Sequence, residues 1–407
     1  MSKLTLLDEA KEDASRIISD RRALHAHPGT GFDIPFPLDY VTRELTELGY
    51  EPLPCGKAGI TALAGGKKPG KVFLIRADMD ALPIQEDSGV SFASENPGKM
   101  HACGHDLHTA MLLEAARLLK RHEDEISGTI KLMFQPAEEI FQGSDDMIKA
   151  GVLENPHVDA ALMVHVAAGL PFPAGTVIAC DGGVSAAACD SFDITVKGKG
   201  CHGSMPHQGI DPVTAACTMV TSLQEIIARE ISMQDEAVLT IGYINAGIAN
   251  NVIPGEAKFG GTIRTFDEET RSQIKSRMEE MIPALGTAFR VQTTLNWTSG
   301  CPSLLNDADL AKCVPGYIRE ITGEQGCFTM AQLAAFAGGK QQKGTASEDF
   351  AYVSRAVPSL MLALAAGTAK DGYTYPQHHP KVCFDEDCLP YGAAVYAQTA
   401  IRWLAEH

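Results

Sequence analysis

The chain is 407 residues long, with 45% hydrophobic and 21% charged residues, too long for one comfortable core and best divided into two domains. Its formal net charge of −17 argues against nucleic acid or an anionic membrane as partner, because a phosphate-bearing surface demands a basic face. No run approaches the roughly 18 apolar residues that span a bilayer, and eleven cysteines without a repeated spacing fit reduced thiols in a cytoplasmic protein better than a disulfide framework.

The start, MSKLTLLDEAKEDASRIISDRR, lacks the apolar core of a signal peptide and reads as one charged amphipathic helix. KVFLIRADMD (71–80) is a buried strand whose acidic residues arrive where the strand ends. HTAMLLEAARLLKRHEDE (108–125) has helical apolar spacing, and GTIKLMFQPAEE (128–139) is a strand broken by Pro136 just before two glutamates. DAALMVHVAAG (159–169) is a third strand with His165 near its end. This order predicts an α/β layered domain, in which ligands gather beyond the carboxyl ends of the strands. Asp78, Glu138, Glu139 and His165 all fall there.

The pattern changes near residue 187. SFDITVKGKG alternates apolar and polar residues, and the next helix carries Asp211 as N-cap, Pro212 at its first position, and an apolar stripe of Val213, Ala216, Val220, Leu223 and Ile227. AVLTIGYI and AKFGGTIRTF follow as strands. A helix capped by Asp267 then buries Ile274, Met278, Met281 and Leu285, and RVQTTLNW closes the series. The order βαββαβ is that of a ferredoxin-like sandwich. From Cys301 the first pattern returns with a helix, the strand SLMLALAAG and a final helix. The expected division is a catalytic domain over 1–187 and 299–407, with an α+β domain inserted at 188–298.

The stretch MHACGHDLHTA (100–110) concentrates metal-ligand residue types. Cys103 and His105 are one residue apart, so in an extended segment both project to one side. Thiolate and imidazole suit zinc and its first-row neighbours better than magnesium or calcium. Other ligands must come from distant strand ends. Glu138 and Glu139, being adjacent, should point in different directions, one binding metal while the other faces a water. That arrangement suits metal-assisted hydrolysis, in which a free carboxylate moves the proton. His165 and the pair His378–His379 could complete a two-metal site. Taken singly these features are bland: strand-end histidines are commonly hydrogen-bonded core residues, glutamate pairs are commonly solvated, and HxxH on a helix is common by chance.

LHAHPGTGFD, RADMDALPIQE, MHACGHDLHTAMLLEAA, FQPAEE, VHV, GKGCHGSMPHQGIDPV, NVIPGEAKFGGTIRTF, SEDFAY and HHPKVCFDEDCLPYGAA together resemble the aminoacylase-like metallopeptidases. The resemblance is to their amidohydrolase branch, which holds hippurate hydrolase, N-acyl-amino-acid hydrolases and auxin-conjugate hydrolases. It implies two divalent ions (zinc, manganese, cobalt or nickel) held by Cys103, His105, Glu139, His165 and His378, with Cys103 bridging. His378 is chosen over His379 because the pattern is a histidine, a variable residue, then proline. Glu138 would be general base and acid, and Asp78 would support the site by orienting a ligating histidine. His202, Asn251 and Arg264 in the inserted lid match positions used near the substrate, and a homodimer through the lid is implied. His25, His27 and Cys201 read as structural or bystander residues.

Residue chemistry agrees with these roles. Arg264 is a candidate cation for a substrate carboxylate, with a surface arginine as the plain alternative. His202 and His207 flank a Gly/Ser/Pro loop that either could simply structure. Gly29 departs from the glutamate usual after the early His-Pro, and Asn250 is a smaller departure. The expected activity is metal-dependent cleavage of N-acyl-L-amino acids, small-molecule substrates. The alternatives are a dipeptidase or carboxypeptidase on short peptides, and a catalytically silent metal-binding sensor of the same fold.

Overall fold

The computed structural model describes residues 4–336, 339 and 343–407. Two compact units divide the described residues: those within 1–185, 305–342 and 349–407 form one, and those within 186–304 with 343–348 form the other. The short return of Lys343–Glu348 to the second unit departs from the expected division, which kept everything after 298 together.

The first unit is built on an eight-stranded sheet in the order Leu53–Cys55, Gly59–Gly65, Thr129–Gln135, Val72–Asp78, Ala160–Ala167, Ser359–Ala365, Val177–Ala179 and Cys327–Thr329. Val72–Asp78 runs parallel to Thr129–Gln135 on one side and to Ala160–Ala167 on the other. All seven of its residues are buried, as expected of a parallel strand covered on both faces. The outer strands Leu53–Cys55, Val177–Ala179 and Cys327–Thr329 carry too few residues to show an apolar period, and sequence patterning does not reveal them.

From Val72–Asp78 the chain passes through the helix His105–Arg121 to the strand on one side, then crosses to the strand on the other. The carboxyl ends of these three strands therefore flank a switch point, where open α/β sheets place their ligands. The helix is buried from His105 through Leu119 and packs against Ala14–Ala26 and the terminal helix Leu389–Glu406. Tyr396 on that last helix fixes the sheet from behind, donating to Arg76 O at 2.7 Å and accepting the Val164 N–H at 3.2 Å. The N-terminal helix expected as one piece is two, Leu6–Glu12 and Ala14–Ala26, broken at Asp13; residues 1–3 lie outside the described residues.

The second unit carries the expected βαββαβ order: Ala188–Lys197, helix Pro212–Glu225, Ala237–Ala246, Glu256–Thr265, helix Glu268–Phe289 and Gln292–Cys301. Its antiparallel sheet, with the sequence-first strand between the third and fourth, has the ferredoxin-like arrangement. Asp211 and Asp267 cap their helices as read from sequence. The stripe expected on the first helix is rotated: Pro212, Ala215, Ala216, Met219 and Leu223 are buried, while Val220 and Ile227 pack at the margin. Two small alanines let this helix lie close on the sheet, and the larger β-branched residues flank the contact.

Candidate metal centre

Cys103 and His105 do come together, but not through an extended segment. Gly104 adopts φ +94° and the helix begins at His105, earlier than the expected His108. A Cβ on Gly104 would sit 2.4 Å from Val166 Cγ2, so only glycine permits this left-handed turn against the neighbouring strand. The turn sets Cys103 beside the first helical residue.

Around this pair the strand ends deliver the other candidates. Ligand atoms of Cys103, His105 and His165 lie within 4.8 Å of one another, as do those of Cys103, Glu139 and His378, and those of His105, Glu138 and Glu139. Cys103 Sγ is 3.6 Å from His165 Nε2, and His378 Nε2 is 3.6 Å from Glu139 Oε2. His105 Nε2 is 3.8 Å from Glu139 Oε1 and 4.0 Å from Glu138 Oε2. The two glutamates thus both reach His105. They then diverge, Glu139 toward His378 and Glu138 toward the Asp349 N–H at 3.3 Å. His379 turns elsewhere, stacking on Tyr375 with ring centroids 4.5 Å apart.

The imidazoles are pre-oriented. His105 Nδ1 is 2.8 Å from Asp80 O, and His165 Nδ1 is 2.8 Å from Val166 O. A backbone carbonyl can only accept, so each Nδ1 carries a proton and each ring is turned with Nε2 toward the cluster. His105 Nε2 is buried and hydrogen-bonds to no described residue.

Three supporting residues are not evident from sequence. Asp80 takes the Glu138 N–H at 2.9 Å and the Glu139 N–H at 3.3 Å, fixing the glutamate pair. Asp349 supplies the N–H to Glu138. His108, whose HxxH spacing is common by chance, is the imidazole closest to Asp78, at 2.6 Å from Oδ1, whereas His105 Nε2 stands 3.7 Å from Oδ2. Asp78, expected to support the site by orienting a ligating histidine, has His108 and Arg76 as its shortest partners, the latter at 2.6 Å. RADMD carries the signal for Asp80 in its second aspartate; SEDF carries that for Asp349.

Burial alone would raise the Asp78 carboxyl, but Arg76, His105 and His108 hold it well below its ordinary value. Burial likewise disfavours a charged His105, yet Asp78 and Cys103 hold that imidazole well above its usual range. Burial pushes the Cys103 thiol up, with Glu139 adding to the effect. Five carboxylates (Asp78, Asp80, Glu138, Glu139 and Asp349) meet here with the Arg76 guanidinium. So much negative charge in a buried place draws cations, and an orphaned Nε2 among thiol, imidazole and carboxylate donors is a ligand position. The residues fit divalent metal ions.

A profile of peptidase family M20/M25/M40 matches residues 74–402. The chain belongs to that family. It is 40% identical over 303 residues to the N-acyl-L-amino acid amidohydrolase of Geobacillus stearothermophilus, covering 74% of this chain and 80% of that one. It is 35% identical over 390 residues to the N-acetyl-L-cysteine deacetylase of Bacillus subtilis (strain 168), covering 96% and 88% respectively. The crystal structure of the Bacillus subtilis YXEP protein, a dinuclear metal binding peptidase from the M20 family, matches with a TM-score of 0.73 at 32% identity over 97% of this chain and 99% of that one. This M20/M25/M40 member is a metal-dependent amidohydrolase with an α/β catalytic domain and an inserted α+β lid domain.

In the lid, the exposed His202 uses Nδ1 to accept from Ser204 N at 3.1 Å and to meet Ser204 Oγ at 2.8 Å. Asn251 is exposed, and its carbonyl accepts the Gly203 N–H at 2.8 Å. Arg264 Nη1 donates to Thr345 O and Ser347 Oγ, each at 3.0 Å. Gly29 is sterically fixed, since a Cβ there would lie 2.3 Å from Asp33 O; the turn of residues 29–33 excludes the usual glutamate. His25 is buried between Asp106 and Glu86, a structural position.

Proposed function

We propose that this member of the family cleaves N-acyl-L-amino acids to a carboxylate and a free amino acid. The observation that carries the reading is the convergence of Cys103, His105, His165, Glu139 and His378 beside a further carboxylate, Glu138. In this reading the first five residues would hold two divalent ions. Thiolate points to zinc, while the carboxylate and imidazoles also admit manganese, cobalt or nickel. When bound, such ions supply Lewis acidity that polarises the amide carbonyl and acidifies water.

Glu138 takes the proton from the attacking water and passes it to the leaving amine. Its backbone N–H on Asp80 and its carboxylate on the Asp349 N–H keep it oriented for both transfers. Arg264 reads the substrate α-carboxylate, its fork matching carboxylate geometry. Asn251 assists in binding, and His202 serves as a donor to the developing oxyanion. A homodimer formed through the lid and a cytoplasmic location complete the reading; no helix among the described residues is long and apolar enough to cross a membrane.

The test is to strip the protein with a chelator and reload it with Mn²⁺ or Zn²⁺. Amino acid release is then followed from N-acetyl, N-benzoyl and long-chain N-acyl amino acids, with dipeptides alongside. Metal-dependent release from an N-acyl amino acid supports the reading. Faster cleavage of dipeptides would replace it with a peptidase, and no cleavage with either metal would leave a silent binder.

A further inference from the structure

The loop that carries Glu138 and Glu139 lies between the end of the strand Thr129–Gln135 and the start of the helix Gly143–Lys149. Ala137 and Phe141 on this loop adopt φ +56° and +55°, a left-handed conformation that non-glycine residues hold only when their surroundings enforce it. Asp349 supplies that enforcement from three directions. Its carboxylate is 2.6 Å from Gln135 Nε2, at the strand end, and accepts the Ser144 N–H at 3.0 Å, at the helix start. Its own N–H donates to Glu138 Oε1 at 3.3 Å, in the middle of the loop. Arg76 Nη2, 3.1 Å from Oδ1, anchors the clamp to the central strand. Asp349 is fully buried, and its carbonyl accepts the Tyr352 N–H at 3.0 Å, so its backbone is pinned as well.

We propose that Asp349 is a positioning residue for the hydrolytic reaction: its carboxylate clamps both ends of the 136–142 loop and thereby fixes Glu138 for proton transfer. The inference rests on Glu138 being the base. Three donors meet the Asp349 carboxylate: Gln135 Nε2, the Ser144 N–H and Arg76 Nη2. A carboxylate suits them, and an isosteric amide must turn an NH₂ group against a donor. The same constraint offers a repair. Glutamate at position 135 would accept from the amide that Asp349→Asn introduces at the Oδ1 position, while keeping the acceptor that Arg76 Nε uses at 2.9 Å; Arg76 Nη2 still faces that amide, so the repair is partial.

The experiment compares metal-loaded wild type, Asp349→Asn, and the double variant Asp349→Asn with Gln135→Glu. Asp349→Asn is expected to keep its metal content and a KM within about 2-fold, and to lose about 100-fold in kcat, the scale of a misplaced catalytic group. Hydrogen exchange of the 137–143 amides should quicken. The double variant should slow that exchange again and recover at least about 10-fold in kcat. Unchanged exchange in Asp349→Asn overturns the clamp, as does a loss of metal and kcat together that Gln135→Glu does not reverse. Glu138→Gln separates the two claims: if it retains turnover the base assignment fails, while the exchange data still decide whether Asp349 holds the loop.

Discussion

His108 Nε2 accepts the Val166 N–H at 2.9 Å, so its proton sits on Nδ1 and is given to Asp78 Oδ1 at 2.6 Å. One neutral imidazole thus ties the ends of two parallel strands together, next to His165 on one strand and under the metal centre from the other. Burial pushes His108 down to about 4, against the pull of Asp78, which keeps it neutral and directional at physiological pH. Replacing it with alanine leaves the Asp78 carboxylate and the Val166 N–H without this partner. We expect His108→Ala to bind metal about 10- to 100-fold more weakly, the usual effect of losing an outer support. Titration of the stripped protein with Zn²⁺ against a competing chelator measures this, and unchanged affinity would reduce His108 to a packing residue.

Glu138→Gln removes the proton carrier while leaving the other donors in place. Turnover of the best N-acyl substrate should fall by about 10²- to 10⁴-fold, with metal content by elemental analysis unchanged. A variant that loses metal in parallel with activity would mark Glu138 as a ligand instead.

Arg264→Ala tests the carboxylate reading. For N-acyl amino acids, kcat/KM should drop by the equivalent of about 1.5–3 kcal/mol, the worth of a hydrogen bond to a charged group. For the corresponding carboxamides it should change little. Equal losses on both substrates would mean that Arg264 acts by holding Thr345 and Ser347, to which it donates at 3.0 Å.

Glu114, far from the strand ends on the buried helix, offers a stability test. Burial pushes its carboxyl up to about 7, with Asp13 adding to the rise and Arg117 opposing it. The folded state therefore favours the protonated form. The stability this contributes is fully present below about 4.5, the ordinary value, and is lost as pH rises through about 7. Denaturant unfolding of wild type should weaken relative to Glu114→Gln across that window, by up to about 3 kcal/mol. Parallel pH profiles would show that Glu114 is ionised in the fold.

The helices and long strands were legible because each carries its own period. Asp211 and Asp267 cap where a polar residue precedes an apolar stripe, and the parallel strands read as unbroken apolar runs. Short outer strands such as Val177–Ala179 and Cys327–Thr329 have no period to show at three residues each. The site divides in the same way. HACGHD and PAEE are each bland alone, and it is their joint occurrence at strand ends that points to metal chemistry.

Local composition and spacing were enough for the order of the main elements and for a cluster of metal-ligand residue types, because these are written within short stretches of chain; the full donor set and the class of reaction came with the resemblance carried by motifs along the whole chain. Which group serves which was settled by the packing. The turn at Gly104 is dictated by Val166 on another strand. The shortest imidazole partner of Asp78 is His108, on the helix that follows the Cys103 turn. The clamp on Glu138 comes from Asp349, more than two hundred residues away in sequence. Hydrogen bonds of that kind depend on distances set by packing of the whole sheet, and no local pattern encodes them.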